Sequence, residues 1–366
     1  MTTNMNMAPR QRAVEAMYGR MPDRVPCVPL IDNSYSAPVM GVPVSQCFLD
    51  PISHAESLVA CLERHPTIDG VSINLCLADE IILEKQEHAG EYIVKTTGGT
   101  TWMIPHNDIG SVMERKIVSF DDPRLEFEDP LKSGIFQTLQ AIPADIRRRY
   151  LINVGVTGPF SQVCFLLGIE RVMLATIDDP AGLHRAIEKR LPLALQWIED
   201  MAAFDPGCIW IGEGFASSSL IGPTTYREFV VPYERALADK IRQVGVPSVL
   251  HICGKLSPAL DLIPETETNC LEADWQVDLA DAKRRIGDRV SLKGNLNTTS
   301  LVSRGSEEIY EMSKQAIEAA AAGGGFILSS GCALGRDTPP ENVEAMAQAA
   351  LDFGQYPEGA HDAERA

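Results

Sequence analysis

His251-Ile252-Cys253-Gly254 closes one apolar run of the chain, and Cys332 follows another in Ile327-Leu328-Ser329-Ser330-Gly331-Cys332. Along an extended strand, residues i and i+2 project to the same face, so His251 and Cys253 can converge on one ion. One imidazole and two thiolates supply three soft ligands to a tetrahedral metal and leave its fourth position open, as catalytic zinc sites require. Structural zinc clusters more often combine two short-spaced ligand pairs. One close pair and one distant cysteine therefore predict an open zinc site built for a thiol or a methyl group.

Four more residues fall at strand ends near these ligands. Glu272 and Asp274 end a strand between those bearing the ligands and share one face of it. Glu272 is the expected occupant of the fourth metal position, with water as the alternative. Asp274 and Glu213 are candidate catalytic carboxylates, and Asn295 is a candidate for orienting substrate or ligand by hydrogen bonding. The competing reading makes these groups salt-bridge or capping partners at the mouth of the fold. His54, His65, His88, His106, His184 and His361 lack metal spacing and read as surface or interface residues. Trp102, Trp197 and Trp210 read as core or rim packing; Trp275, beside Asp274, is the one candidate platform for a ligand.

The elements that must position these groups are short apolar runs of the buried parallel-strand type. Eight occur, at 27–32, 69–75, 151–157, 208–213, 247–252, 269–274, 290–295 and 326–331. Thr225-Tyr226-Arg227-Glu228 reads as a capping box opening a helix to about residue 244. Ser306 starts a helix that stops at Gly323-Gly324-Gly325, and Thr338-Pro339-Pro340-Glu341 caps the last one. The glycine run is not followed by the Lys-Ser/Thr of a phosphate loop. Eight strands alternating with helices predict an α/β fold, a single (β/α)8 TIM barrel. An insertion at 79–118, after the second strand, contains a β-hairpin over 91–102 with a glycine turn. The barrel is expected to fill residues 1–354, with 355–366 a flexible acidic tail.

The chain has 366 residues and a net charge of −18. That charge argues against nucleic acid and against anionic membranes as partners. No apolar run approaches the ~18 residues of a membrane span. The first residues lack the basic-then-apolar order of a secretory signal, so the cytoplasm is the expected compartment. Of the nine cysteines, Cys27, Cys61, Cys76, Cys164, Cys208 and Cys270 lie among apolar neighbours and read as buried small hydrophobes.

The chain resembles the uroporphyrinogen decarboxylase superfamily nearly end to end. The matching segments are Arg10-Gln11-Arg12-Ala13-Val14, Pro22-Asp23-Arg24-Val25-Pro26, Thr157-Gly158-Pro159-Phe160, Tyr226-Arg227-Glu228-Phe229 with Pro232-Tyr233, Ala273-Asp274-Trp275 and Lys293-Gly294-Asn295-Leu296. His-x-Cys-Gly with the late glycine–cysteine makes it similar to the zinc-containing, corrinoid-dependent methyltransferase branch. The resemblance implies a TIM barrel and carries zinc ligation onto His251, Cys253 and Cys332. Decarboxylases of the superfamily carry an arginine-rich stretch after the first strand; here it reads Asp32-Asn33-Ser34-Tyr35-Ser36, with no arginine to grip a polycarboxylate.

The implied reaction moves a methyl group between a corrinoid and a small substrate. Either a zinc-activated thiol accepts the methyl group of a methyl-cobalt(III) corrinoid, or a methyl ether polarised by zinc gives its methyl group to cobalt(I). No Asp-x-His-x-x-Gly occurs in the chain, so the corrinoid is expected as a co-substrate, free or on a separate carrier protein. The alternatives are a metal-independent lyase and a non-catalytic zinc- or corrinoid-binding protein. Cobalamin-independent methionine synthase resembles this zinc chemistry too, but the chain has about half the material for its two barrels.

Overall fold

Glycine- and proline-bounded apolar runs become the strands of a parallel sheet whose C-terminal edge carries the candidate residues. The computed structural model describes residues 7–97, 99–108, 110–114, 117–126 and 131–356. Its strands are β1 (Gly70–Ile73), β2 (Ile82–His88), β3 (Glu91–Thr96), β4 (Thr101–Pro105), β5 (Ser111–Glu114), β6 (Leu151–Thr157), β7 (Cys208–Gly212), β8 (Ser248–Ile252), β9 (Cys270–Ala273), β10 (Ser291–Leu296) and β11 (Phe326–Ser330). Seven form one parallel sheet in the order β1-β6-β7-β8-β9-β10-β11. Helices connect most of them, as parallel neighbours require.

The expected strand over 27–32 is not a regular one. Cys27 forms only an isolated parallel bridge with Leu328. Pro26 and Pro29 explain the interruption, since neither can donate to a ladder. The segment nevertheless reaches both edges of the curled sheet. Val28 N donates to Leu328 O at 2.9 Å and Leu328 N to Pro26 O at 2.9 Å; Asp69 N donates to Cys27 O at 2.7 Å and Ser72 N to Ile31 O at 2.8 Å.

The insertion is larger than one hairpin. β2, β3, β4 and β5 form a four-stranded antiparallel sheet in sequence order. The β3–β4 pair runs from Glu91↔Pro105 to Lys95↔Thr101. Gly98, in the expected turn, lies outside the described residues.

Helix Pro9–Met17 covers the N-terminal end of the parallel sheet. Its Ala13, Ala16 and Met17 are buried with Leu151, Cys208, Val249, Cys270 and Ile327 from the starts of five strands. The larger core lies between the sheet and its outer helices. The six cysteines read as small hydrophobes are all buried. Function is thereby left to the opposite, C-terminal end of the strands.

Two of the three expected helix starts differ from expectation. The expected helix at 225–244 is two helices, Pro223–Phe229 and Val231–Gln243, broken at Val230. Pro232 has no N–H to continue the first, and is accommodated in the first turn of the second. The first is capped by Gly222, not by Thr225. The last helix, Pro340–Phe353, does begin on proline, but Thr338 makes no capping bond. Helix Ser306–Ala320 ends just before Gly323, Gly324 and Gly325, all of positive φ. His54 and His65 are buried, not at the surface: His54 is on the buried side of helix Pro51–Arg64, and His65 bonds the Tyr35 hydroxyl at 2.9 Å. His361 and the expected tail beyond 356 lie outside the described residues. Among the described residues no single helix is long and apolar enough to cross a membrane.

Candidate metal centre

Parallel pairing brings the three soft donors together from distant parts of the chain. His251 is the penultimate residue of β8, Cys253 follows that strand, and Cys332 lies two residues beyond β11. Ligand atoms of His251, Cys253 and Cys332 all lie within 4.8 Å of one another. His251 Nε2 is 3.2 Å from Cys253 Sγ and 4.0 Å from Cys332 Sγ. Gly254, at φ +77°, takes a left-handed turn that sends the chain away directly after Cys253. Gly331 lets the Cys332 loop approach the turn after β9; a Cβ there would lie 2.6 Å from Trp275 N.

The three donors perturb one another's protonation. A hydrogen bond from Cys332 holds the Cys253 thiol below its ordinary pKa, against the effect of burial. Giving that hydrogen bond, and being buried, raises the Cys332 thiol. Burial alone would lower the His251 pKa, but its bond to Cys332 and the nearby Glu272 carry it above the ordinary value. A metal ion bound there would require both sulfurs to be deprotonated.

Behind the imidazole, Nδ1 lies 3.2 Å from Glu272 O and 3.6 Å from Glu272 Oε2. The Glu272 side chain is fully buried. Its Oε1 pairs with Lys293 Nζ at 2.5 Å, and its Oε2 accepts Trp210 Nε1 at 2.8 Å. Burial alone would raise this carboxyl, but Lys293 and then His251 hold it below its ordinary pKa. Glu272 therefore stands at the Nδ1 side of the ring, away from the Nε2 edge that faces the sulfurs. It is not part of the converging trio.

The remaining candidates line the same C-terminal end. Glu213 follows β7, its N–H donating to His251 O at 2.9 Å. Its Oε2 accepts Ser161 N at 2.9 Å at the start of helix Pro159–Leu167, where the helix dipole favours negative charge. Burial pushes this carboxyl up to about 7 despite those hydrogen bonds, and Oε1 has no hydrogen-bond partner among the described residues. Asp274 accepts Gln276 N at 2.9 Å through Oδ1 in a tight turn. Asn295 Nδ2 donates to Asp274 O at 3.1 Å and Val277 O at 2.6 Å, bracing that turn. Trp275, on the turn, is 49% exposed.

Two residues escaped the sequence reading. Trp210, read there as core or rim packing, stacks on His251 with ring centroids 5.6 Å apart and planes at 25°. Lys293 was noted only as part of a matching segment. A lysine inside an apolar strand, Val290-Ser291-Leu292-Lys293-Gly294, was the available signal, because a fully buried ammonium requires a partner. Trp210 had no such local signal: Gly212 is near it in sequence, but Gly155, its register partner, comes from another strand. Cβ atoms at Gly155 and Gly212 would lie 2.5 and 2.4 Å from its ring.

Comparison with known proteins agrees with this architecture. A methylated-thiol–coenzyme M methyltransferase of Methanosarcina mazei is 30% identical over 210 residues, covering 56% of this chain and only 55% of that protein. A methylcobamide:CoM methyltransferase of Methanosarcina acetivorans is 29% identical, covering 81% of this chain and 97% of that protein. A uroporphyrinogen decarboxylase of Pelobacter propionicus is 24% identical, covering 92% and 97%. The fold is shared with a solved methyltransferase from Methanosarcina mazei, at a TM-score of 0.78 and 20% identity, over 95% of this chain and 99% of that one. The sequence pattern of uroporphyrinogen decarboxylase matches residues 8–353, and the chain belongs to that family.

Proposed function

We propose that this chain is a zinc-dependent methyltransferase that moves a methyl group between a corrinoid, free or on a separate carrier protein, and a small substrate. The substrate is either a thiol acceptor or a methyl ether donor. The observation that carries the reading is the convergence of His251 Nε2, Cys253 Sγ and Cys332 Sγ at the end of the sheet where such folds place their chemistry. The relatives named as methyltransferases acting on methylcobamide and coenzyme M support the same class.

The donor set fits zinc: two sulfurs and one imidazole nitrogen, with the other ring nitrogen bonded to a carbonyl. Zinc bound there would supply the Lewis acidity that keeps a thiol deprotonated near neutral pH or polarises an ether oxygen. Glu213, titrating near 7, is suited to take up a substrate proton at its unpartnered Oε1. Asn295 fixes the turn that presents Asp274 and Trp275 at the mouth. Glu272 acts behind His251 in this arrangement, leaving the fourth metal position to substrate. Segment 26–31, bonded to β1 and β11, serves as the closing eighth stave of the barrel.

Uroporphyrinogen decarboxylases are also relatives, so the two reactions must be told apart by the site. Asp32 caps helix Asn33–Met40 and accepts Asn74 Nδ2 at 2.6 Å, in the stretch without arginine. That chemistry does not suit a polyanionic substrate. The test is zinc content, followed by methyl transfer from methylcobalamin to thiols and from methoxyarenes to cob(I)alamin. About one zinc per chain and turnover in one direction are expected. A protein that stays metal-free after reconstitution would leave the lyase reading in front.

A further inference from the structure

His251, Glu272 and Lys293 stand at one level of the sheet on three neighbouring strands. Glu272 is the register partner of His251 across β8 and β9, and of Lys293 across β9 and β10. All three side chains are buried, with Lys293 and Glu272 fully so. Their ion pair closes at 2.5 Å, and among the described residues neither Lys293 Nζ nor Glu272 Oε1 has a hydrogen-bond partner beyond it. The other oxygen of Glu272 holds the Trp210 N–H, and the Trp210 ring lies on the face of the imidazole.

A buried ion pair is a poor stabiliser, because desolvation of both charges offsets their attraction and an apolar pair of similar volume does as well or better. A function other than stability is therefore the more economical account of this pair directly behind a ligand residue. We propose that Lys293, acting through Glu272 and Trp210, is a positioning residue that keeps the His251 imidazole turned with Nε2 toward Cys253 and Cys332. The proposal rests on the reading of those three residues as a metal site. Lys293 fixes the carboxylate, the carboxylate fixes the indole, and the indole fixes the plane of the ring. The Glu272 carbonyl fixes which nitrogen faces the sulfurs. Gly155 and Gly212 leave the space that the indole occupies.

The test compares wild type, Lys293→Met, the double variant Glu272→Met/Lys293→Met, and Trp210→Phe. Zinc affinity is measured by competition with a chromophoric chelator, and ligand geometry by the electronic spectrum of the cobalt(II)-substituted protein. Lys293→Met leaves a buried carboxylate unpaired and is expected to lower Tm. The double variant leaves no charge behind and is expected to recover it. Both are expected to bind zinc about 10–100-fold more weakly, with displaced cobalt bands. Trp210→Phe, which removes the N–H and retains an aromatic ring, should displace the same bands by less. A folded double variant, or a folded Trp210→Phe, with wild-type zinc affinity and cobalt spectrum overturns the proposal and leaves the metal site standing. Wild type that binds neither ion overturns both.

Discussion

Glu272 lies opposite His251 in the β8–β9 ladder, with its carbonyl 3.2 Å from Nδ1, while Nε2 faces Cys253 Sγ at 3.2 Å. One imidazole is thus bonded to backbone on one side and offered to two sulfurs on the other. Metal-binding histidines require this division of roles, because the bond at one ring nitrogen determines which nitrogen is free to ligate.

Removing both sulfurs should abolish metal binding without dismantling the fold. Cys253 and Cys332 are only partly buried and sit beyond the strands, outside the packed core. The Cys253→Ala/Cys332→Ala variant should lose the zinc of the wild type and all methyl transfer, with a far-UV circular dichroism spectrum unchanged. Elemental analysis decides it: wild-type zinc content in the double variant would refute the ligand assignment.

Gly212→Ala should disturb the site from inside the sheet. The new Cβ would lie 2.4 Å from the Trp210 ring, which cannot retreat without leaving His251 or Glu272. A cost of about 1–3 kcal/mol in stability is expected from the overpacking, with several-fold weaker zinc binding. Chemical denaturation and chelator competition on the same samples measure both; unchanged values in both would show that the ring has room to move.

His54 should make the fold acid-sensitive. Its ring is fully buried with neither nitrogen hydrogen-bonded among the described residues, and burial lowers its pKa to about 3 from 6.5. The unfolded chain takes up this proton below about pH 6.5, whereas the folded chain does so only near 3. Stability from this residue is therefore complete above the unfolded value and is lost as pH falls, by about 3 kcal/mol near pH 4. In metal-free protein, His54→Leu should flatten the fall of Tm between pH 6.5 and 4. Parallel Tm profiles for the two proteins would show that the ring is not neutral in the fold.

Asp69 should matter to the fold and not to the metal. It precedes β1 at the N-terminal end, where its carboxylate pairs with Arg12 and Arg24 and accepts Cys27 N at 2.8 Å. Asp69→Asn would leave Arg24 without its carboxylate partner, while Arg12 keeps Asp23, at a cost of about 3–5 kcal/mol. Urea unfolding should report that loss while zinc per folded chain stays at the wild-type value. A fall in zinc content among folded molecules would show coupling between the two ends of the sheet.

The candidate ligands were legible because they depend on local rules. Alternation along a strand sets His251 and Cys253 on one face, and Gly254 and Gly331 mark where the chain turns after each strand. The parallel strands were legible as apolar runs between glycines and prolines, and seven of the eight became regular strands. The one that did not, 27–32, contains the proline that should have demoted it. The break at Val230 was likewise written in Pro232, two residues on.

Sequence alone therefore picked out the candidate donors, because residue chemistry and the i, i+2 alternation that pairs His251 with Cys253 are properties of neighbours along the chain, whereas the approach of Cys332 came from the sheet. The tertiary structure decided which groups stand behind those donors. Glu272 is 21 residues from His251 and also 21 from Lys293, and only the register of β8, β9 and β10 sets the three in one row. That register also turned Glu272 from an expected ligand position toward Nδ1, and set Trp210 against the ring. Register is fixed by pairing across strands and by burial of whole faces, which no local stretch of residues encodes.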